Sequence, residues 1–164
     1  MVMVAPRILL LDTNIWLDYY MAERPFHDAA FSLVDCALSS GVELVFAITS
    51  PKDLFYQIGA GLKRAVRASK GGELAEDSAI ACNEIAWGCI SNLDQIATGV
   101  GMDVSDLRHA IHDKKIHRDF EDNLIMAAAR RVRADYLVTN DKLLLRHSDV
   151  PALSAEDTLS LMQS

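Results

Sequence analysis

The chain has 164 residues, of which 51% are hydrophobic, and a formal net charge of −7 at pH 7. This composition is typical of a globular protein and excludes a disordered chain, which would have too few apolar residues to form a core. The negative net charge argues against a protein that coats nucleic acid by charge alone, although it leaves room for local basic patches.

The N-terminal stretch MVMVAPRILLLD lacks a charged start, a long apolar segment and a cleavage site, so we expect no signal peptide. No stretch is long enough to span a bilayer. Of the three cysteines, Cys82 and Cys89 share a helical face with Ile85, which favours buried thiols over a disulfide or a thiolate metal site. We therefore expect one cytoplasmic domain over residues 1–164 that does not bind a membrane.

The pattern of apolar residues predicts strands that alternate with helices. The expected strands are 8–11, 42–49, a short one within 99–104, and 136–139. The expected helices are 13–20, 29–39, 50 to the Gly71-Gly72 pair, about 75–97, 105–112, 120–133, 141–146 and 154–163. Such alternation predicts an α/β fold, a three-layer α/β/α sandwich around a mostly parallel central sheet.

Four aspartates are placed for one edge of that sheet. Asp12 follows the first strand, Asp53 lies in the first turn of the helix after the second, and Asp141 follows the strand YLVT. Asp122 begins the helix EDNLIMAAARRV on the same face as residues 125, 129 and 132, so it continues an apolar stripe. Because ligands bind beyond the carboxyl ends of parallel strands, we expect these acids to converge there.

Each acid also has a local alternative role. Asp12 could form an Asx-turn, Asp53 could close a capping box in SPKD, Asp141 or Asn140 could cap a helix, and Asp122 could favour a helix dipole. These roles do not explain the convergence, because clustered carboxylates repel one another unless a cation lies among them. Mg²⁺ and Mn²⁺ prefer oxygen ligands of this kind, so we predict that Asp12 is a metal ligand.

The segments RILLLDTNIWLD, AITSPKDLFYQI and DFEDNLIMAAARRVRADYLVTND resemble the PIN domain family, which includes the VapC-type toxins of bacterial toxin–antitoxin pairs and RNA-processing nucleases. The resemblance covers nearly the whole chain and implies a PIN-like fold. It implies that Asp12, Asp122 and Asp141 bind metal, with Thr139 and Asn140 as a supporting polar pair. Asp53 stands where the family more often has glutamate, which shortens the side chain by one methylene.

The activity implied by the resemblance is that of a hydrolase, an Mg²⁺- or Mn²⁺-dependent endoribonuclease with one or two ions. The expected catalytic acids are Asp12, Asp53, Asp122 and Asp141, where Asp53 holds metal or orients water. Side chains expected to hydrogen-bond these acids are Thr13, Asn14, Thr139 and Asn140. Asp119 and Glu121 are alternative fifth acids, but the helical face favours Asp122.

Two basic segments are candidates for contacts with RNA phosphates. One helix carries Lys63, Arg64, Arg67 and Lys70, and the segment RHAIHDKKIHR contains Lys114 and Lys115. Either segment could instead be a solvated helix face. The nearby His109, His112 and His117 lack an acid or cysteine at a firm zinc-binding spacing.

Two other functional classes compete with the nuclease. A phosphatase of the haloacid dehalogenase type needs a second aspartate two residues after the first, where this chain has Asn14. A catalytically inactive PIN fold that binds RNA or a protein is the stronger alternative, and metal binding would separate it from the enzyme. The resemblance further implies a homodimer, supported by apolar residues in the helices from 51 to 97, and an antitoxin partner if the chain is a toxin.

Overall fold

The computed structural model describes residues 6–164, so the first five residues of the stretch for which we predict no signal peptide lie outside it. Five parallel strands form a sheet in the order β3-β2-β1-β4-β5. Their bounds are β1 Ile8–Leu11, β2 Glu43–Ala47, β3 Thr98–Val100, β4 Tyr136–Val138 and β5 Ala152–Leu153. The central strand β1 pairs through Leu10 with Val45 on one side and Leu137 on the other.

The helices that connect these strands follow the predicted order along the chain. Their bounds are α1 Thr13–Tyr20, α2 His27–Ser39, α3 Ser50–Ser69, α4 Glu76–Ile96, α5 Val104–Asp113, α6 Phe120–Val132, α7 Lys142–His147 and α8 Ala155–Met162. Gly41 and the Gly71-Gly72 pair follow α2 and α3 with positive φ angles, a conformation that glycine adopts without a steric penalty. In the described residues, no helix combines the length and apolar character that a bilayer span requires.

The sheet is buried on both faces, which explains why β1 is a continuous apolar run. Leu9 and Leu11 lie in a core with side chains of α1, α2, α3 and α4. Leu10, on the opposite face, packs in a second core with Ile125 and other residues of α6. Helices therefore cover both faces, and the predicted α/β fold with a parallel sheet is confirmed.

Three differences from the prediction affect the site or the surface. β2 ends at Ala47, so the two residues before α3 form a turn at the edge where the acids lie. The two-residue strand β5, which was not predicted, pairs with β4 and is too short to show a periodic pattern. In α4, Ile85 and Trp87 are exposed, so this helix presents apolar side chains to solvent as well as to the core.

A candidate acidic site at the carboxyl edge of the sheet

Asp12 lies directly after the central strand and is only 3% exposed. Its backbone N–H donates to the carbonyl of Val138 at 2.9 Å, which continues the pairing of β1 with β4. Its side-chain Oδ2 accepts a hydrogen bond of 2.9 Å from Oγ1 of Thr139, which is fully buried. Asp12 precedes α1, but its side chain makes no capping hydrogen bond to that helix. Its carboxylate therefore lies at the sheet edge and does not cap α1.

The surroundings of Asp12 disfavour its charge. Burial raises its pKa from 3.8 to about 7, and the charges of Asp122 and Glu121 act in the same direction. The hydrogen bond from Thr139 opposes this rise but does not offset it. Asp12 is thus a buried carboxyl group that would be partly protonated near neutral pH unless positive charge lies beside it.

Asp122 lies in the first turn of α6, on the face predicted from the helical period. Ile125 and Ala129 on that face are fully buried, and Asp122 itself is half-buried. Its pKa is raised by burial and by the charges of Asp119 and Asp141, whereas a contact of 2.6 Å with Nε2 of His117 lowers it. Asp119 caps the helix by accepting from the backbone N–H of Asp122 at 3.1 Å, so it serves the backbone.

Glu121 lies closer to the other acids than the sequence pattern suggested. Thr13 Oγ1 donates to Glu121 Oε1 at 3.4 Å, and the same Oγ1 lies 2.8 Å from Oγ of the buried Ser50. Burial raises the pKa of Glu121, and the charges of Asp53, Asp119 and Asp122 raise it further. The structure thus places Glu121 close to the other acids, whereas the helical period predicts Asp122 and not Glu121 for this group.

Asp53 lies in the first turn of α3 and does not close the capping box that SPKD permits. The residue before the helix is Thr49, which makes no side-chain capping bond, and the Ser50 hydroxyl is bonded to Thr13 instead. Asp53 is close enough for its charge to raise the pKa of Glu121. Its carboxylate therefore contributes to the negative potential of the same edge.

Asp141 combines a capping role with a position at this edge. Its Oδ1 accepts from the backbone N–H groups of Leu143 and Leu144, both at 2.8 Å, so it caps α7 as the local alternative predicts. Its own backbone N–H donates to Thr139 Oγ1 at 3.0 Å. Thr139 consequently touches both Asp12 and Asp141, and the charge of Asp141 raises the pKa of Asp122.

The expected supporting residues divide into two groups. Thr13 and Thr139 contact acids of the group, as described above. Asn140 does not, because its Nδ2 lies 3.4 Å from Asp18 and its Oδ1 accepts from the backbone of Ala155 at 3.3 Å. Asn14 is exposed, and no hydrogen bond joins its side chain to an acid within residues 6–164. Asn140 thus makes hydrogen bonds to the first residue of α8 and to the buried Asp18.

The contacts of Ser50 and His117 with this group are not predictable from the sequence. The SPKD pattern predicts a helix cap at Ser50, whereas its partner Thr13 lies 37 residues away, so no local signal identifies the contact. The sequence pattern groups His117 with His109 and His112 as a weak candidate zinc set. Those two histidines are exposed, whereas His117 is buried against Asp122. The five-residue spacing between His117 and Asp122 carries no recognisable motif.

The two basic segments form separate surfaces. Lys63, Arg64 and Arg67 line a groove of about 480 Å³ between α3 and α4, together with Phe55, Tyr56, Gly59, Ala60 and Asn83. Lys114 and Lys115 line a second concavity, of about 570 Å³, with Ile111, His112 and Arg118. Of the two, only the groove is built on α3, the helix whose first turn carries Asp53.

The donor atoms of this edge fit a hard divalent cation. Asp12, Asp53, Glu121, Asp122 and Asp141 supply carboxylate oxygens, and their mutual repulsion would be relieved by positive charge. As these side chains are positioned, no three His, Cys, Asp or Glu residues within 6–164 are arranged to hold a metal ion. The group of acids therefore matches a divalent cation in its charge and in the type of its donor atoms.

Comparison with known proteins adds to this geometry. A search of curated proteins gave no match. Among solved structures, the fold is similar to a chain of the crystal structure of VapBC2 from Rickettsia felis bound to a DNA fragment from their promoter, with a TM-score of 0.60 and 15% sequence identity. The similarity covers 90% of this chain and 98% of that chain. A family model described as PIN domain matches residues 8–143. The chain therefore belongs to the PIN domain family.

Proposed function

We propose that the protein is an Mg²⁺- or Mn²⁺-dependent endoribonuclease that hydrolyses RNA phosphodiester bonds. The observation that carries this proposal is Asp12, which is buried at the end of the central strand with a pKa of about 7. A fold stabilises such a group poorly without a cation, and acids of this kind mark functional sites. Membership of the PIN domain family supports the same activity.

The acids of the sheet edge have distinct parts in this proposal. Asp12, Asp122 and Asp141 would hold one or two ions, and Asp53 would hold an ion or orient water. A bound divalent ion would neutralise the phosphate and lower the pKa of a water molecule, so that hydroxide is available at neutral pH. Thr139 fixes Asp12 through its hydroxyl, and the capping bonds of α7 fix Asp141. These contacts restrict the carboxylates before any ligand arrives.

The RNA backbone would be bound by the basic surfaces. Lys63, Arg64 and Arg67 line the groove on α3, and Lys114 and Lys115 offer a second set of cations. Each phosphate contact releases counterions, so binding through these side chains should weaken steeply as salt is added. Substitution of one set at a time would show which surface the RNA uses.

We further propose that the protein is a cytoplasmic toxin of a type II toxin–antitoxin pair. The similar structure is that of VapBC2, which supports a search for an antitoxin partner. The exposed apolar side chains of α3 and α4, which are Tyr56, Ile80, Ile85 and Trp87, favour a protein interface such as a homodimer. Sedimentation of the purified protein, alone and with the product of an adjacent small reading frame, tests both partners.

The decisive experiment is cleavage of end-labelled single-stranded RNA with Mn²⁺, Mg²⁺ or EDTA. The wild type should cleave only with metal, and Asp12→Asn and Asp122→Asn should be inactive while remaining folded. Asp135→Asn is the matched control, because Asp135 is exposed and lies at the amino end of β4, bonded to the backbone of Arg7 and Ile8. Equal, metal-independent cleavage by all four proteins would reveal a contaminating nuclease and refute the proposal.

The alternative is a PIN fold that binds RNA or protein without catalysis. Two observations favour it: the aspartate at position 53, and the absence within residues 6–164 of three side chains already arranged around a metal. Calorimetric titration with Mn²⁺ separates the two functions. A folded wild type that neither binds Mn²⁺ nor cleaves RNA would favour the binding module.

A further inference from the structure

His117 is a buried histidine with a short contact at each ring nitrogen. The residue is 4% exposed, and its Nε2 lies 2.6 Å from Oδ2 of Asp122. Its Nδ1 lies 3.1 Å from Nδ1 of His147, the last residue of α7. Contacts at both nitrogens fix the plane of the imidazole ring. The ring therefore joins the first turn of α6 to the end of α7.

The backbone around His117 is held independently of its ring. His117 donates its backbone N–H to the carbonyl of Asp113 at 2.9 Å, which ties it to the end of α5. Its carbonyl accepts from Nδ2 of Asn123 at 2.9 Å, and the same Nδ2 donates to the carbonyl of Ala110 at 3.2 Å. Asn123 is buried and follows Asp122 in sequence. Hydrogen bonds of the backbone of His117, with the end of α5 and with Asn123, thus fix its position relative to Asp122.

The direction of the hydrogen bond follows from the chemistry of the two groups. An ionised carboxylate only accepts, so Nε2–H of His117 donates to Oδ2 of Asp122. In a neutral ring the Nδ1 atom is then an acceptor, so a hydrogen bond at this contact requires that Nδ1 of His147 carries the proton. Oδ2 of Asp122 is occupied by this bond, whereas its Oδ1 remains available. Without the bond, repulsion from Asp119 and Asp141 would favour rotation of the carboxylate toward solvent.

We propose that His117 is a positioning residue for Asp122. Its Nε2–H holds Oδ2, so that Oδ1 stays available to a divalent cation, and His147 fixes the ring from the opposite side. This inference rests on the proposed function, because it assigns Asp122 a cation to hold. It adds two histidines that lie outside the acidic group.

The first test examines the contact in metal-free protein. Nitrogen-15 NMR of the imidazole side chains in EDTA should show His117 with a protonated Nε2, protected from exchange. Asp122→Asn and His147→Ala should each shift this signal, whereas the exposed His109 should be unaffected. A His117 signal that resembles that of His109 in the wild type would overturn the proposal, and this readout requires neither metal nor activity.

The second test measures Mn²⁺ affinity by calorimetry for the wild type, His117→Ala, His117→Gln and the control His109→Ala. Loss of a residue that orients a ligand weakens metal binding by about ten- to a hundred-fold, which we expect for His117→Ala. His117→Gln should recover most of the affinity because its amide donates to Asp122. His147→Ala, which leaves the Asp122 contact in place, should give a smaller loss and provides a second variant if His117→Ala does not fold.

The outcomes distinguish this inference from the proposed function. Wild-type affinity in His117→Ala, with tight Mn²⁺ binding by the wild type, would overturn the positioning role and leave the nuclease intact. A wild type that binds no Mn²⁺ would overturn both. Thermal unfolding of each variant in EDTA controls for the fold, since a purely structural role would lower the melting temperature of His117→Ala and His117→Gln alike.

Discussion

Replacement of Asp12 by asparagine should stabilise the metal-free protein, and the gain should grow with pH. Burial raises the pKa of Asp12 from 3.8 to about 7 in the folded state. Below about pH 4 the group is protonated in both the folded and the unfolded state, so its burial adds no charge penalty. As the pH rises toward 7, the unfolded state releases its proton first, and the folded state becomes relatively less stable.

The loss of stability caused by the charge of Asp12 follows from the shift in its pKa. A rise from 3.8 to about 7 corresponds to about 4 kcal/mol of lost stability once Asp12 is ionised in both states, which occurs above pH 7. This is an upper bound, because water that enters the site would stabilise the charge. Asparagine avoids the penalty and retains an oxygen that can accept from Thr139. The variant should therefore gain up to this amount at pH 8 and little at pH 4.5.

Urea denaturation in EDTA, at several values between pH 4.5 and 8, measures the difference between Asp12→Asn and the wild type. The control is Asp135→Asn, because hydrogen bonds from the backbone of Ile8 and Arg7 lower the pKa of Asp135. That variant should lose stability by nearly the same amount at every pH in this range, because the lowered pKa of Asp135 lies below it and the folded state keeps Asp135 ionised throughout. A stability difference for Asp12→Asn that does not change with pH would refute the reasoning.

Three further predictions concern the site and its supports. Millimolar Mn²⁺ should raise the melting temperature of the wild type but not of Asp122→Asn. Free metal at 100 times Kd adds about 2.7 kcal/mol to the free energy of unfolding. Scanning fluorimetry with Mn²⁺ and with EDTA measures the change in melting temperature. Ser50→Ala should lose about 1 kcal/mol in urea denaturation because Thr13 loses a buried partner, and an unchanged midpoint would contradict the bond. Asp18→Asn should lower the free energy of unfolding by about 2 kcal/mol, because Nε of Arg24, 2.7 Å from Asp18, loses its charged partner. The loss is moderate since the Arg24 side chain is partly exposed and water can solvate its charge. Calorimetric unfolding measures it.

The order of the helices and of strands β1 to β4 is predictable because each of these elements has a local signature. The run from Ile8 to Leu11 is apolar without alternation because both faces of β1 are covered. The helix over Thr13–Tyr20 was predicted with its bounds, and Ser154 caps α8 by accepting from the backbone N–H of Asp157. The two-residue strand β5 was not predictable, because it exists only through its pairing with β4.

The sequence by itself determined that acids follow the strands of a parallel sheet, since strand ends and helix faces are set by residues close in the chain. Only the tertiary structure decided what each acid meets. Thr139 reaches Asp12 across 127 residues, Glu121 contacts Thr13 across 108, and Asn140 is directed to Asp18 and away from the acids. His117 meets Asp122 because a loop held by Asn123 returns to α6. Local periodicity determines which side of an element is buried, but the partner found there comes from a distant segment, and its identity depends on packing.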